Sequence, residues 1–327
     1  MHVNVRFVHS STESSARRVS RTLSVAISTM ERPDALRRCL AAIWAARVRP
    51  FEIVVVDQSR DDATVAVVAD AAADGIPVHV ERQPPRGLGA SQNAAFRRAR
   101  GEVVAVTDDD CIVDAGWLEA VERAFAEQPT LGALGGRVLA LPEEGDRTWP
   151  VSTRTSTRRV EFPGRGAPLN VGSGNNFAVR RDLFLRIGGC DERLGPGSPG
   201  LGGVDMDLFY RLLRAGAHIR YEPDALVHHE RQTLAQRLAR RPLYGHGMGA
   251  AVAFRLRERD RAAAALLANW FSLRVAMMGG ALLRRDWAAA REELTMLGST
   301  VRGLRHGFTV REAGPPPPPG RGETAAG

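Results

Sequence analysis

Three consecutive aspartates, Asp108, Asp109 and Asp110, directly follow the apolar run at 103–107. Like charges crowded at a strand end repel one another, and a bound cation relieves that repulsion. Carboxylate oxygens are preferred ligands of Mg²⁺ and Mn²⁺, which commonly take one or two protein carboxylates and complete their shell with substrate phosphates. The triplet therefore suggests a divalent cation and a diphosphate-bearing substrate. Alone it is equally well a solvated acidic turn, so the elements that position it decide between the two.

Residues 22–130 alternate strand and helix signals, the pattern of an α/β sheet with parallel strands. Short apolar runs predict strands at 23–28, 52–57, 77–81 and 102–107. Between them lie helical stretches at 34–46, 61–73 and 87–100; the first carries Leu36, Leu40, Ile43 and Trp44 at helical spacing after Pro33. Ligands of open α/β sheets bind outside the carboxyl ends of strands. Asp57 and the Asp108, Asp109, Asp110 cluster both fall at such ends and so line one crevice. Beyond residue 130 the pattern changes to strands at 132–139 and 171–179, an irregular stretch between them, and a glycine-rich loop over 188–203. Loops of that length are usually functional or disordered. The loop opens into a helix near Gly203 that carries Asp205 and Asp207 in its first turn, where a carboxylate is also a plain helix cap.

The chain of 327 residues suits one large domain with an appendage, or two domains, and its 44% hydrophobic and 25% charged residues are those of a globular protein. All 45 basic residues are arginine. The net charge of +8 is unevenly placed: residues 231–311 carry 15 Arg against five acidic residues, or +10, leaving the remainder near neutral. This basic region has no interleaved aromatic platform, which argues against nucleic acid and for an anionic membrane surface. Cys39, Cys111 and Cys190 show no metal-ligand spacing and read as thiols of a reducing compartment, with the cytoplasm, at the inner face of the membrane if the basic region binds there, as the expected location. Residues 1–21 lack the apolar core of a secretory signal and are expected to be a flexible extension. The proline-rich stretch at 312–327 is expected to be disordered.

The ordered segments SVAISTMERP (24–33), EIVVVDQS (52–59), GLGASQNAAF (87–96), GEVVAVTDDD (101–110), GSGNNFAVRRDLF (172–184), GGCDERLG (188–195) and GGVDMDLFYRLLRAG (202–216) together resemble a family 2 glycosyltransferase of the GT-A fold. The resemblance spans roughly residues 22–230 and implies an α/β nucleotide-sugar-binding sheet flanked by helices, with a C-terminal helical appendage over 231–311. It implies an inverting, metal-dependent transferase that moves a sugar from a nucleoside-diphosphate sugar, a UDP-sugar slightly favoured, to a hydroxyl of a glycan, lipid-linked or small-molecule acceptor. The Gln-X-X-Arg-Trp motif of processive synthases is absent, so one sugar per encounter is expected.

Residue by residue, Asp108 and Asp110 match the Asp-X-Asp of the family. Asp108, with its neighbour Asp109, would lie near the donor's ribose and sugar, and Asp110 would ligate Mn²⁺ or Mg²⁺. Asp57 matches the position that contacts the base, while Thr29, Glu31 and Arg32 would help hold base and ribose. Arg86 would add positive charge near the phosphates, or is one more solvated arginine. Asp205 matches the catalytic base, a carboxylate that removes the acceptor's proton as its hydroxyl attacks. The family usually places glutamate before this aspartate, whereas this chain has Val204. Asp207 would share the acceptor side or serve the helix structurally, the latter being favoured. Of the adjacent pair His228 and His229, only one can face the site because strand side chains alternate, and the family spacing favours His229 near the metal. Asn175 and Asn176 would shape the acceptor side, or form a turn feeding a strand.

The apolar run at 262–283 is long enough to span a bilayer, but Arg274 near its middle would cost about 2.5–3.5 kcal/mol on insertion. An interfacial amphipathic helix and a helical cap on the catalytic domain are equally compatible with it. A nucleotidyltransferase is disfavoured by the absence of a Gly-rich basic signature near the first strand, and a dinucleotide oxidoreductase by the absence of Gly-X-Gly-X-X-Gly. A noncatalytic sugar-nucleotide- or membrane-binding scaffold, supported only by Val204, is the alternative from another class.

Overall fold

The structure is a computed structural model that describes residues 18–310 apart from 21, 72–75, 144, 146 and 165. In chain order the elements are β1 (Arg18–Val19), β2 (Leu23–Thr29), α1 (Pro33–Ala45), β3 (Val48–Arg49), β4 (Glu52–Asp57), α2 (Ala63–Ala71), β5 (Val78–Arg82), α3 (Leu88–Arg98), β6 (Val103–Asp108) and β7 (Cys111–Val113). They continue with α4 (Trp117–Glu127), β8 (Leu131–Ala140), β9 (Val160–Pro163), β10 (Asn176–Arg180), α5 (Arg181–Arg186), α6 (Val204–Arg214), β11 (His218–His229), α7 (Leu234–Arg257), α8 (Ala263–Leu283) and α9 (Trp287–Thr309). The α/β class and the C-terminal helices are as the sequence implied.

Nine strands form one sheet in the order β5-β4-β2-β6-β10-β8-β11-β7, with β9 on the free side of β11. The first four are parallel. β10 then runs antiparallel to both β6 and β8, which reverses the direction of the sheet beside the aspartates. The parallel strands read as continuous apolar runs because both faces are covered. On one face, Val25, Ile27, Val55, Leu134 and Val138 pack with Leu36, Leu40 and Ile43 of α1 and Trp117 and Val121 of α4. On the other, Ala26, Val104, Phe177 and Ile219 pack with Phe96 of α3 and Leu208 and Phe209 of α6.

Several elements escaped the sequence reading. β7, α4, β9 and α5 were not anticipated, and the strand expected from 171 begins only at Asn176, because 171–175 form a turn closed by Asn176 N–H donating to the Ser173 carbonyl (3.2 Å). Within the expected N-terminal extension, Arg18 and Val19 pair with β3, while residues 1–17 lie outside the described residues, as do 311–327.

The glycine-rich stretch 188–203 folds tightly onto α3. Asn93 clamps it by donating to the Cys190 carbonyl (3.0 Å) and accepting from the Cys190 N–H (2.7 Å), and Leu88 N–H donates to the Pro196 carbonyl (3.0 Å). Gly87, at φ +90°, lies so close to Gly197 that a Cβ would stand 3.1 Å from the Pro196 oxygen, so both the left-handed backbone and the close approach require glycine. Helix α7 opens with a reciprocal capping box between Thr233 and Gln236 and pairs closely with α9. At Gly249 and Gly303, opposite each other in that pair, a Cβ would run into the backbone of the facing helix.

Candidate functional site

The site lies where β2, β4 and β6 end and where the sheet reverses. The three aspartates do not share one environment. Asp109 is turned inward: Thr29 Oγ1 donates to its Oδ2 (2.7 Å) and Arg32 Nη1 lies 3.2 Å from its Oδ1. Arg32 reaches Asp110 as well, at 2.8 Å. Thr29 and Arg32, expected to help hold base and ribose, bond the aspartates in this structure, and Arg32 supplies part of the counter-charge that adjacent carboxylates require. Burial and the charge of Asp110 still push the Asp109 carboxyl up to about 6.

Asp108 makes no side-chain hydrogen bond among the described residues. Burial and the charges of Asp110, Asp109 and Asp205 hold its carboxyl well above the usual carboxylate range. That Asp205 contributes is informative, because it comes from the start of α6, on the other side of the reversal. Its Oδ2 accepts the Gly174 N–H at 3.0 Å, and the backbone N–H groups at its own helix start face the carboxylate. Burial raises the Asp205 carboxyl, with those N–H groups opposing the shift. Gly174 packs so closely on this side chain that a Cβ would meet the Asp205 Cβ at 3.0 Å.

Asp110 Oδ1 is buried without a hydrogen-bond partner and faces His229 Nε2 at 3.4 Å. His229 is brought there by the pairing of β11 with β7, in which His229 lies opposite Cys111 and the Glu230 N–H donates to the Asp110 carbonyl (3.1 Å). His229 Nδ1 is 2.7 Å from the Glu230 carbonyl, which can only accept, so the proton sits on Nδ1 and the Nε2 lone pair faces Asp110. An orphan carboxylate oxygen beside a correctly oriented imidazole lone pair fits a divalent cation, the carbonyl supplying the outer contact that metal-bound histidines use. Asp110, Cys111 and His229 offer ligand atoms within 4.8 Å of one another. The Cys111 thiol is held protonated by burial and the neighbouring aspartates, and sulfur is a poor ligand for Mg²⁺ or Mn²⁺, so Asp110 and His229 are the ligands the chemistry favours. His228, one residue back, is partly exposed on the alternate face.

Asp57 is fully buried at the end of β4. Its Oδ1 accepts the Ser59 N–H at 2.8 Å, and its Oδ2 has no hydrogen-bond partner, with Arg82 Nε at 3.7 Å. That oxygen keeps an unused acceptor position. Glu31 has φ +58° and an exposed side chain whose Oε1 accepts the Arg60 N–H, so it ties the loop after β2 to the loop after β4. Arg86 bonds Glu192 at 2.8 Å and is 62% exposed, so in this structure its charge is spent on anchoring the glycine loop. Sequence reasoning passed over Gln58, although it lies within the segment that drew attention to Asp57. Its buried amide accepts the Arg86 and Gly87 N–H groups and donates to the Gly87 carbonyl, shaping the turn into α3.

The two asparagines differ. Asn176 is fully used: it accepts the Trp117 indole N–H (2.9 Å) and donates to the Arg137 (2.8 Å) and Ala225 (2.7 Å) carbonyls, which makes it a staple between β10, β8, β11 and α4. Asn175 is 2% exposed, and both of its amide atoms are buried without a partner. Asp207 lies in a buried ion cluster, with Arg211 at 2.7 Å and Arg255 at 3.2 Å, and Arg255 in turn bonds Asp191; its carboxylate is committed to the interior, the structural one of its two expected roles. Arg274, expected to burden the apolar α8, is 8% exposed, stacks on Trp270 and pairs with Glu293 of α9 at 3.2 Å.

The sequence model described as "Glycosyl transferase family 2" matches residues 24–188, half of the chain. Among curated proteins, the pre-mycofactocin glycosyltransferase of Mycobacterium tuberculosis is 27% identical over 306 residues, 90% of this chain; the match covers 58% of that relative. The glucosyl-dolichyl phosphate glucuronosyltransferase of Haloferax volcanii is 24% identical over 222 residues, 64% of this chain and 69% of that one. Among solved structures, a mannosyltransferase from Pyrobaculum calidifontis in complex with GDP-Man and Mn²⁺ superposes with a TM-score of 0.57 at 19% identity, over 86% of this chain and 87% of that one. S. aureus TarS 1–349 in complex with UDP-GlcNAc gives 0.57 at 17% identity, over 86% and 81%. These structural likenesses establish the GT-A fold. Taken with the family match over the strands and turns that carry Asp57 and the three aspartates, they close the assignment: this chain belongs to glycosyl transferase family 2.

Proposed function

We propose that this chain transfers a sugar from a nucleoside-diphosphate sugar to a hydroxyl-bearing acceptor, with inversion at the anomeric carbon and one transfer per encounter. The observation that carries this reading is the convergence of Asp108, Asp110 and Asp205, carboxylates of which only Asp110 has an arginine partner, the partly exposed Arg32. Asp57 Oδ2 would accept an N–H of the base, which both uracil and guanine supply, and a UDP-sugar is the first donor to test. Asp110 and His229 would hold Mn²⁺ or Mg²⁺. When bound, such an ion neutralises charge on the departing diphosphate. Asp108 would accept hydroxyl protons of the donor's ribose or sugar.

Asp205 would then remove the acceptor proton. Its pKa, raised by burial, makes it a better base than a solvated aspartate, and the Gly174 N–H holds its carboxylate. The bond from the acceptor oxygen to the anomeric carbon forms as the bond to the diphosphate oxygen breaks, and the proton passes to Asp205. The unpartnered Asn175 amide, next to Gly174, would contact the acceptor. Val204 lies buried against the glycine loop, so its side chain supplies no second carboxylate there.

The outer face of α8 favours contact with an anionic membrane surface. With Arg274 turned inward onto Glu293, the exposed side chains Ala268, Ser272, Val275, Ala276, Leu282 and Leu283 are uncharged, and Arg284 and Arg285 follow at the helix end.

The test is calorimetric titration with UDP and GDP, with and without Mn²⁺, on the wild-type chain and on Asp110→Ala. Binding of one nucleotide that needs both the metal and Asp110 is expected. A folded protein that binds no nucleotide, or binds it equally after Asp110→Ala, overturns the reading.

A further inference from the structure

All three cysteines are buried, and two of them have partners of their own: Cys39 donates to the Asp108 carbonyl (3.5 Å) and Cys190 to the Gln92 amide oxygen (3.1 Å). Cys111 is placed differently. In the antiparallel pairing of β7 with β11 it stands directly opposite His229, as Val113 stands opposite Val227. Residues opposite each other in such a ladder project from the same face, with Cβ atoms about 4.5–5.5 Å apart. Val113 and Val227 both lie in the core layer shared with α1 and α4, so alternation puts Cys111 and His229 together on that face.

Asp110 completes the set. Arg32 holds its Oδ2 at 2.8 Å, while its Oδ1 is buried without a hydrogen-bond partner, 3.4 Å from His229 Nε2, on a side chain only 10% exposed. One ligand atom from each of Asp110, Cys111 and His229 lies within 4.8 Å of the other two. Ligand atoms around one tetrahedral ion with bonds of about 2.0–2.3 Å stand roughly 3.5 Å from one another, a difference that small side-chain rotations close. Thr107, on β6, faces the same layer as Val103 and Ala105. Its hydroxyl is buried without a hydrogen-bond partner and stands beside Cys111, where it favours the thiolate. Sulfur is a poor ligand for Mg²⁺ or Mn²⁺, but for a thiophilic ion the preference reverses. Zn²⁺ takes cysteine, histidine and carboxylate together, and three protein ligands leave one position open for water or a phosphate oxygen.

We infer that Cys111 is a third protein ligand of this centre and gives it selectivity for thiophilic divalent ions, Zn²⁺ foremost, over Mg²⁺ and Mn²⁺. This rests on the metal site proposed for Asp110 and His229 and is independent of sugar transfer. On binding, the sulfur–hydrogen bond breaks, the sulfur–metal bond forms and the proton leaves to solvent, since a coordinating thiol is deprotonated outright. No oxidant or reductant takes part. The structural alternative, in which Cys111 is only a small apolar side chain of the core, accounts for its burial and leaves the unpartnered Thr107 hydroxyl beside it unexplained.

Co²⁺ is titrated first onto the full chain, because a thiolate–Co²⁺ contact gives a near-ultraviolet charge-transfer band that carboxylate and imidazole ligands lack. The band is expected in wild type and in Cys39→Ser/Cys190→Ser, where Cys111 is the last of the three thiols, and is expected to vanish in Cys111→Ser. Calorimetric affinities for Zn²⁺ and Mn²⁺ follow. Cys111→Ser is expected to weaken Zn²⁺ by at least about tenfold, since even outer contacts of a metal ligand are worth about 10–100-fold, and to leave Mn²⁺ within about threefold of wild type. Should Cys111→Ser not fold, the spectra of wild type and of the double variant decide. Co²⁺ bound without the band, a band that survives Cys111→Ser, equal losses for Zn²⁺ and Mn²⁺, or a folded wild type that binds neither Co²⁺ nor Zn²⁺ overturns the inference. Titration of UDP and GDP with Mn²⁺ on the same proteins separates it from the donor reading. A band in a protein that binds no nucleotide refutes the donor site and leaves the Cys111 ligand standing, whereas nucleotide binding that needs Mn²⁺ and Asp110, without a band, removes Cys111 and leaves the donor site.

Discussion

Replacing Asp205 by asparagine isolates the proposed base from everything else the side chain does. The amide oxygen introduced by Asp205→Asn still accepts the Gly174 N–H, a bond the carboxylate makes at 3.0 Å, and the shape at the start of α6 is unchanged. What disappears is the proton acceptor. A positioned base contributes about 10²–10⁴ in rate, or about 2.7–5.4 kcal/mol. Because burial raises the Asp205 pKa and so strengthens the base, the upper half of that range is expected, a fall in turnover of at least about 10³-fold. The assay is release of nucleoside diphosphate from a UDP- or GDP-sugar, with water in the acceptor's place, beside calorimetric nucleotide binding. Binding should be unaltered, since the role proposed for Asp205 is on the acceptor side. The wild-type rate should rise with pH along an acid limb centred above the ordinary 3.8 of aspartate, because the base acts only when deprotonated, and Asp205→Asn should lack that limb. Gly174→Ala offers a graded version: its Cβ would stand 3.0 Å from Asp205 Cβ and 3.2 Å from Oδ2, so the carboxylate must move by a few tenths of an ångström. A loss of up to about tenfold in turnover is expected there, since misplacement by about 1 Å costs about 10²-fold. Turnover of Asp205→Asn within tenfold of wild type, or a loss expressed as weaker nucleotide binding, would refute the assignment.

Other expectations follow from the buried polar groups. Asn176→Ala strands the Trp117 indole N–H and two carbonyls; at about 1–3 kcal/mol for each buried group left unpaired, a loss of at least about 3 kcal/mol in denaturant unfolding is expected. Asp191→Ala leaves Arg193 and Arg255 buried with reduced compensation and should cost about 3–5 kcal/mol. The arginines hold Asp191 below its ordinary range despite burial, so the unfolded chain binds the proton more tightly; the stabilisation is present above pH 3.8 and is lost as pH falls below it, which acid unfolding of wild type and variant compares. For membrane contact, Val275→Glu/Leu283→Glu should abolish sedimentation with phosphatidylserine vesicles while leaving nucleotide binding intact; unchanged sedimentation would remove that contact from the reading.

Much was legible in the linear sequence because local rules produced it. The apolar runs of β2, β4 and β6 are buried on both faces and so announce themselves without partners, and the aspartates that end β4 and β6 are recognisable by position alone. The glycines at 87, 197 and 203 likewise mark backbone conformations that other residues avoid. The division of labour among like residues was decided only in three dimensions. Asp108 ends β6 and Asp109 opens the turn after it, and that turn sets Asp109 against Thr29 and Arg32 while Asp108 keeps no such partner. Asn175 and Asn176 differ in the same way, one orphaned and one spent on three bonds. Arg274 looked like a charge that disfavours spanning a bilayer until the α8–α9 pairing set it against Glu293, 19 residues away. His229 meets Asp110 only because β11 pairs with β7 across more than a hundred residues of chain. Sequence spacing fixes which face a side chain can take, whereas partners distant in sequence determine whether its charge is neutralised, and that difference separates a structural aspartate from one left for a ligand.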